Sequence, residues 1–218
     1  MVIAPHPDDE VLGCGGTIAR HVQQGDEVHI VVVTRGTPDL FPPERTERVR
    51  REARQAHDVL AVTETHFLDL PAALLDTVPK YRQATEISSA IEKVPPEVLY
   101  LPHHGDLHPD HGAASLAALV AARPSPQCPV RKLLCYETLT ETEWAPPTAD
   151  KVFCPNVFIN IESHLQKKLD AMSCYVSQLR EPPSSRSLKT IEALAVYRGT
   201  SVHLPAAEAF QLVREVTP

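Results

Sequence analysis

The stretch Glu27 to Thr34, reading EVHIVVVT, constrains the fold more than any other segment. It is β-branched and apolar nearly throughout, with no sustained polar alternation, so both of its faces need cover. Strands of that kind belong to parallel sheets flanked by helices. Val2 to Ala4 reads as the end of a second buried strand, and Thr65 to Leu70, Val98 to Leu101 and Arg131 to Tyr136 as further ones. Helical patterns lie between them. Val11 to Gln24 carries Leu12, Ile18, Ala19 and Val22 at helical spacing, and Gly25 supplies a stop. Glu44 to Leu60 is charged and amphipathic, Tyr81 to Lys93 is closed by Pro95-Pro96, and Gly112 to Ala122 is rich in Ala and Leu. This alternation predicts an α/β fold: three-layer and Rossmann-like, a mainly parallel sheet with helices on both faces.

Beyond Glu137 the pattern changes. A proline-containing loop, Trp144 to Pro155, leads to a short strand at Val157 to Ile161. Helical stretches are expected at Ser163 to Gln178, Ser187 to Arg198 and Ala206 to Val216. No repeat or linker separates this part, so the 218 residues read as one domain. Residues 1–136 form its core and 137–218 a helical and loop extension of the same domain. No apolar run approaches about 20 residues, which excludes a transmembrane segment. A net charge of -7 argues against nucleic-acid binding by phosphate neutralisation. The cysteines (Cys14, Cys128, Cys135, Cys154 and Cys174) are odd in number and form no C-x-x-C, so they read as free thiols. No signal-peptide h-region follows Met1, and a cytoplasmic location is expected.

Two short segments carry the chemistry. Pro5-His6-Pro7-Asp8-Asp9-Glu10 directly follows the first strand. Its imidazole and three carboxylates would repel one another without a cation, although an acidic turn can also simply cap a helix. His103-His104-Gly105-Asp106-Leu107-His108-Pro109-Asp110-His111 directly follows the strand Val98 to Leu101. Four His and two Asp in nine residues are hard to explain by packing. Open α/β sheets place their sites at the carboxyl ends of strands, where these two loops would converge. Two His plus one Asp with an open position make a plausible catalytic zinc site, and the remaining groups would supply acid–base chemistry. Gly13-Cys14-Gly15-Gly16 fails the dinucleotide spacing, because Ile18 stands where the third glycine belongs, and reads as close helix packing. The arginines of Glu44 to Leu60 are interleaved with Glu44, Glu47 and Glu52, so most form a solvated face.

At these motifs the chain resembles the LmbE/PIG-L family of zinc-dependent deacetylases, whose substrates typically carry an N-acetylglucosamine unit. Pro5 to Glu10 is similar to the family's first motif, followed by Leu12-Gly13-Cys14-Gly15-Gly16-Thr17, and His108-Pro109-Asp110-His111 to its H-x-D-H motif. Tail segments such as Tyr175-Val176-Ser177-Gln178 and Ala207-Glu208-Ala209-Phe210 resemble one branch of it. The resemblance implies His6, Asp9 and His111 as zinc ligands and Asp8 as general base toward the attacking water. It implies His108 as the cationic partner that stabilises the oxyanion or protonates the leaving amine, with Asp110 orienting that histidine. The implied cofactor is Zn2+, for which Fe2+ can substitute, and the implied partners are an amino-sugar substrate and further copies in a homo-oligomer. The family's substrate-binding arginine falls here on Val49, and Arg48 or Arg45 would have to take its place, Arg48 being the candidate. Ala72 follows Pro71 where the family often has an acidic residue.

Three other readings compete. One is a related amidase acting on a different amide. Another is a non-haem iron oxygenase, whose donor set is formally similar but whose usual all-β barrel is at odds with this alternation. The third is a non-catalytic metal- or sugar-binding protein, which would have no use for both Asp8 and His108.

Overall fold

The apolar run expected inside the sheet lies there. In the computed structural model, which describes residues 1–217, the strand His29–Arg35 is buried along its length except at Arg35. It is the second strand, β2, and pairs in parallel with β1 (Val2–Ala4) and β3 (Glu64–Pro71). β4 (Val98–Pro102) joins the other side of β1, and β5 (Lys132–Tyr136) follows it, both parallel. Helices α1 (Asp9–Gln23), α2 (Pro43–Leu60), α3 (Lys80–Lys93) and α4 (Pro109–Ala121) connect these strands. Ile30 and Val32 enter the core formed with α1 and α2, while Val31 and Val33 enter the one formed with α3 and α4. Strict alternation between two apolar cores explains why β2 shows no polar face. Each fully buried Val or Ile contributes roughly 1.5–3 kcal/mol.

The extension differs from the expectation in one element. β6 (Val157–Asn160), α5 (Leu165–Ser173) and α6 (Leu188–Thr200) fall within or close to the anticipated segments. Ala207–Glu215, expected to be helical, is instead β7, a strand antiparallel to both β5 and β6. The seven strands run in the order β3-β2-β1-β4-β5-β7-β6. Alanine and glutamate favour helix intrinsically. Here hydrogen-bonded neighbours on both sides override that preference, as strand context commonly does. The small Ala207 and Ala209 are buried, and Glu208 turns inward toward α1.

Glu208 ties the extension to the core. Its carboxylate accepts from the backbone N–H groups of Gly16 (2.9 Å) and Thr17 (2.7 Å) and from Lys168 Nζ (2.6 Å). Gly13 and Gly16 lie so close to Tyr136 and Ile161 that a β-carbon would overlap those side chains. These glycines therefore seat α1 against its neighbours. At β1 the strand order reverses, with β2 on one side and β4 on the other. The crevice outside the carboxyl ends of β1 and β4 is the switch point at which such sheets bind ligands, and both His/Asp motifs open onto it.

Candidate active site

The two motifs end in two helix N-termini. Asp8 caps α1 in the left-handed region, with φ 111, and Asp9 and Glu10 form the first turn. His108 caps α4, followed by Pro109, Asp110 and His111. Carboxylates are favoured at such termini, where the helix dipole is positive. Three non-glycine residues with positive φ border the site: Asp8, Ala73 and Thr140. Such conformations cost about 1–3 kcal/mol each and persist only where neighbours enforce them. At Asp8 the enforcing group is Glu10, whose Oε2 accepts from Asp8 N–H at 3.1 Å. Glu10 is itself fully buried, and its Oε1 accepts from Tyr175 OH (2.5 Å) and pairs with His57 Nε2 (3.1 Å).

His6, Asp9 and His111 converge as the sequence predicts. Asp9 Oδ2 lies 3.3 Å from His6 Nδ1 and 3.2 Å from His111 Nε2. One donor atom from each lies within 4.8 Å of the others. Asp9 Oδ1 is buried without a hydrogen-bond partner. Behind the cluster, His111 Nδ1 meets Asp106 Oδ2 at 2.8 Å, a carboxylate support that histidine ligands usually have. Two imidazoles, a carboxylate with an orphaned oxygen, and a supported ring fit a divalent metal ion that keeps an open position. Without a metal the cluster holds protons. Burial opposes charge on both rings, but the carboxylates outweigh it. Asp110 and Asp9 lift His6 to about 9, and Asp9 with Asp106 lifts His111 to about 10.

Asp8 sits beside this cluster, 1% exposed. Burial pushes its carboxyl up to about 8, and Asp9 and Glu10 add to the rise. The Arg186 guanidinium works against it, donating to Asp8 Oδ2 at 2.6 Å. Arg186 also donates from Nε to Thr140 Oγ1 at 2.9 Å.

His108 and Asp110 meet through the main chain. His108 Nδ1 accepts from Asp110 N–H at 3.2 Å. The Asp110 carboxylate accepts from Ala73 N–H (2.6 Å) and Leu75 N–H (3.2 Å), and its Oδ2 stands 3.0 Å from His6 Nε2. Burial first and the neighbouring His6 second lower the His108 pKa, and its Nδ1 is the atom that accepts from Asp110 N–H. Its backbone N–H donates to Glu141 Oε2 at 3.1 Å.

Arg48 is not among the residues lining the cleft. Its Nε donates to Glu52 Oε1, one turn along α2, at 3.0 Å. Glu52 in turn accepts from Ser177 N–H and Oγ, holding the segment after α5. The arginines that do line the cleft are Arg35, Arg45, Arg50 and Arg186, with Phe41 and Val49 between them. His103 and His104 reach not to the His6/Asp9/His111 cluster but to the carbonyls of Lys151 (2.7 Å) and Asp150 (2.8 Å). Sequence reasoning passed over Asp106, Glu141 and Arg186. Asp106 stood within the histidine-rich loop, but Arg186 lies in a Pro/Ser-rich stretch with no motif around it.

A doubly wound sheet with a His/Asp donor set and a buried carboxylate beside it, at the switch point, defines an α/β enzyme with a candidate metal centre. Comparison with known proteins names the family. The family model described as GlcNAc-PI de-N-acetylase (PIG-L) matches residues 1–122. The chain is 31% identical to "Uncharacterized deacetylase YaiS" of Escherichia coli K12, across 81% of this chain and 90% of that protein. It is 25% identical to the diacetylchitobiose deacetylase of Thermococcus kodakarensis, across 98% and 82%. Among solved structures, the conserved protein TT1542 of Thermus thermophilus superposes with a TM-score of 0.79 at 28% identity, covering 100% of this chain and 95% of that one. This protein therefore belongs to the PIG-L (LmbE-like) family of deacetylases, hydrolases acting on an amide bond. Among the described residues no helix is long and apolar enough to cross a membrane.

Proposed function

We propose that the protein removes the N-acetyl group from an N-acetylglucosamine-type sugar or conjugate, with zinc held by His6, Asp9 and His111. The observation that carries this reading is the pairing of the buried donor cluster, with its orphaned Asp9 oxygen, and an adjacent carboxyl, Asp8, raised to about 8. A bound zinc ion would supply Lewis acidity and acidify water. Asp8 then accepts the proton of the attacking water, since a base with a pKa near the working pH serves best. As the C–N bond breaks, the same proton passes to the departing nitrogen, releasing acetate and a free amine. His108, its Nδ1 occupied by Asp110 N–H, offers Nε2–H to the developing oxyanion. Asp110 is a positioning residue: its N–H fixes the His108 ring, and its carboxylate orders Ala73 and Leu75 at the cleft wall. The N-acetylglucosamine moiety is supported by the diacetylchitobiose deacetylase relative.

The test is amine release from a panel of N-acetylglucosamine conjugates, comparing zinc-loaded wild type with Asp8→Asn. Release is expected to fall by about 10²–10⁴-fold with zinc content unchanged. Equal turnover by both proteins would eliminate Asp8 as the base.

A further inference from the structure

Three side chains converge at the end of the sheet opposite the cleft. His29 opens β2, and Glu64 and His66 lie on β3, the edge strand. In the parallel register His29 pairs with Glu64 and Val31 with His66. Residues two apart on a strand share a face, so Glu64 and His66 stand on the face that carries His29. His29 Nδ1 and His66 Nε2 are 3.3 Å apart, with the rings inclined by 22°. Glu64 Oε1 is 3.6 Å from His66 Nδ1. One donor atom from each of the three lies within 4.8 Å of the others. His29 is 7% exposed; its Nδ1 faces His66 Nε2, while Nε2, on the other side of the ring, has no hydrogen-bond partner.

We propose that His29, Glu64 and His66 form a second, structural site for a divalent transition-metal ion of the zinc type. Zinc–nitrogen bonds of about 2.0–2.1 Å set two nitrogens of a tetrahedral ion roughly 3.3–3.4 Å apart. The observed imidazole separation matches that edge, and it is long for the hydrogen bond that joins the two rings here. Glu64, whose Oε1 now stands beside the other nitrogen of His66, would supply the third donor by turning about its side chain, and water the fourth. The carboxylate now pairs with Lys93 Nζ at 3.2 Å, but Lys93 is 62% exposed and free to swing into solvent. Two imidazoles with one carboxylate select zinc-like ions over magnesium or calcium, which take oxygen donors. The ion would staple the edge strand to β2. The far end of β3 leads to Ala73, whose N–H orders Asp110 in the cleft.

The experiment is zinc stoichiometry by equilibrium dialysis at micromolar free zinc, with thermal melts alongside. Wild type is expected to take up one more zinc per chain than His66→Gln, two against one, and the variant to keep its amine-release rate within about twofold. His111→Ala, altered in the other site, is expected to retain one zinc and a zinc-dependent rise in Tm. Glu64→Gln, an exposed change that leaves the core untouched, is expected to weaken the second zinc by about tenfold or more. Uptake by His66→Gln and Glu64→Gln equal to that of wild type overturns the proposal. A wild type with one zinc that His66→Gln loses would support it and count against zinc at the cleft instead.

Discussion

His6, Asp8 and Asp9 stand within one turn of chain, and so do His108, Asp110 and His111; Glu10 and Asp106 support them locally, whereas a second layer of groups comes from far away. Tyr175 reaches Glu10 across 165 residues, and Arg186 reaches Asp8 across 178. The two sets also do different work. The local loops bring donor atoms to the ends of β1 and β4. The remote segments place a cation on Asp8, the residue proposed as base, and brace the Glu10 that holds its backbone. Donor geometry can be encoded in a short motif because a strand end and a helix start hold it. Tuning needs a charge approaching from another direction, which only a distant part of the chain supplies.

Substitutions that separate the two sets test this contrast. The largest effect is expected where the extension is pinned to the core. Glu208→Ala leaves Lys168, itself buried, without its counter-charge and strands the N–H groups of Gly16 and Thr17. Losing one partner of a buried pair costs about 3–5 kcal/mol. The melting midpoint should fall by about 10 °C, and a midpoint close to that of wild type would show that the extension docks by other means.

Next in size is Arg186→Met. As the proposed base, Asp8 accepts a proton only when ionised, so activity is expected to be lost as pH falls through its pKa. Burial raises that pKa and Arg186 opposes the rise. Removing the guanidinium should move the acid limb of the kcat/KM profile to higher pH, by about 1–3 units. An unmoved limb would mean that Arg186 acts on substrate rather than on Asp8.

The smallest effect is expected inside the histidine-rich loop itself. His104 is exposed, hydrogen-bonds the Asp150 carbonyl and lies edge-on against the His103 ring. His104→Ala should change stability by less than about 0.5 kcal/mol and leave turnover alone. A substantial loss of activity would show that this loop is functional along its whole length and not only from His108 onward.

Much of the architecture was legible from short-range pattern. The β-branched run of β2, the proline stops and the helical spacing of α1 to α4 match the observed elements to within about two residues at most ends. The convergence of His6, Asp9 and His111 was legible because they lie in two dense clusters that packing alone does not explain. β7 was not legible, since Ala207 to Glu215 has the composition of a helix and becomes a strand only between β5 and β6. Arg48 was misplaced for a related reason. The periodicity of α2 shows which residues share a face, but not that Glu52 would hold Arg48 away from the cleft that Arg45 and Arg50 line.

The amino-acid sequence by itself determined the alternating α/β core, the two motif loops at strand ends and the His/Asp set that converges there. Each of these rests on residues close in the chain, where backbone geometry and the period of the side chains decide the outcome. Only the tertiary structure decided that Arg186 lies on Asp8, that Tyr175 and His57 brace Glu10, and that His29 meets Glu64 and His66 at the far edge of the sheet. Those contacts depend on which distant surfaces pack together, and burial then sets their strength by removing the water that would screen them.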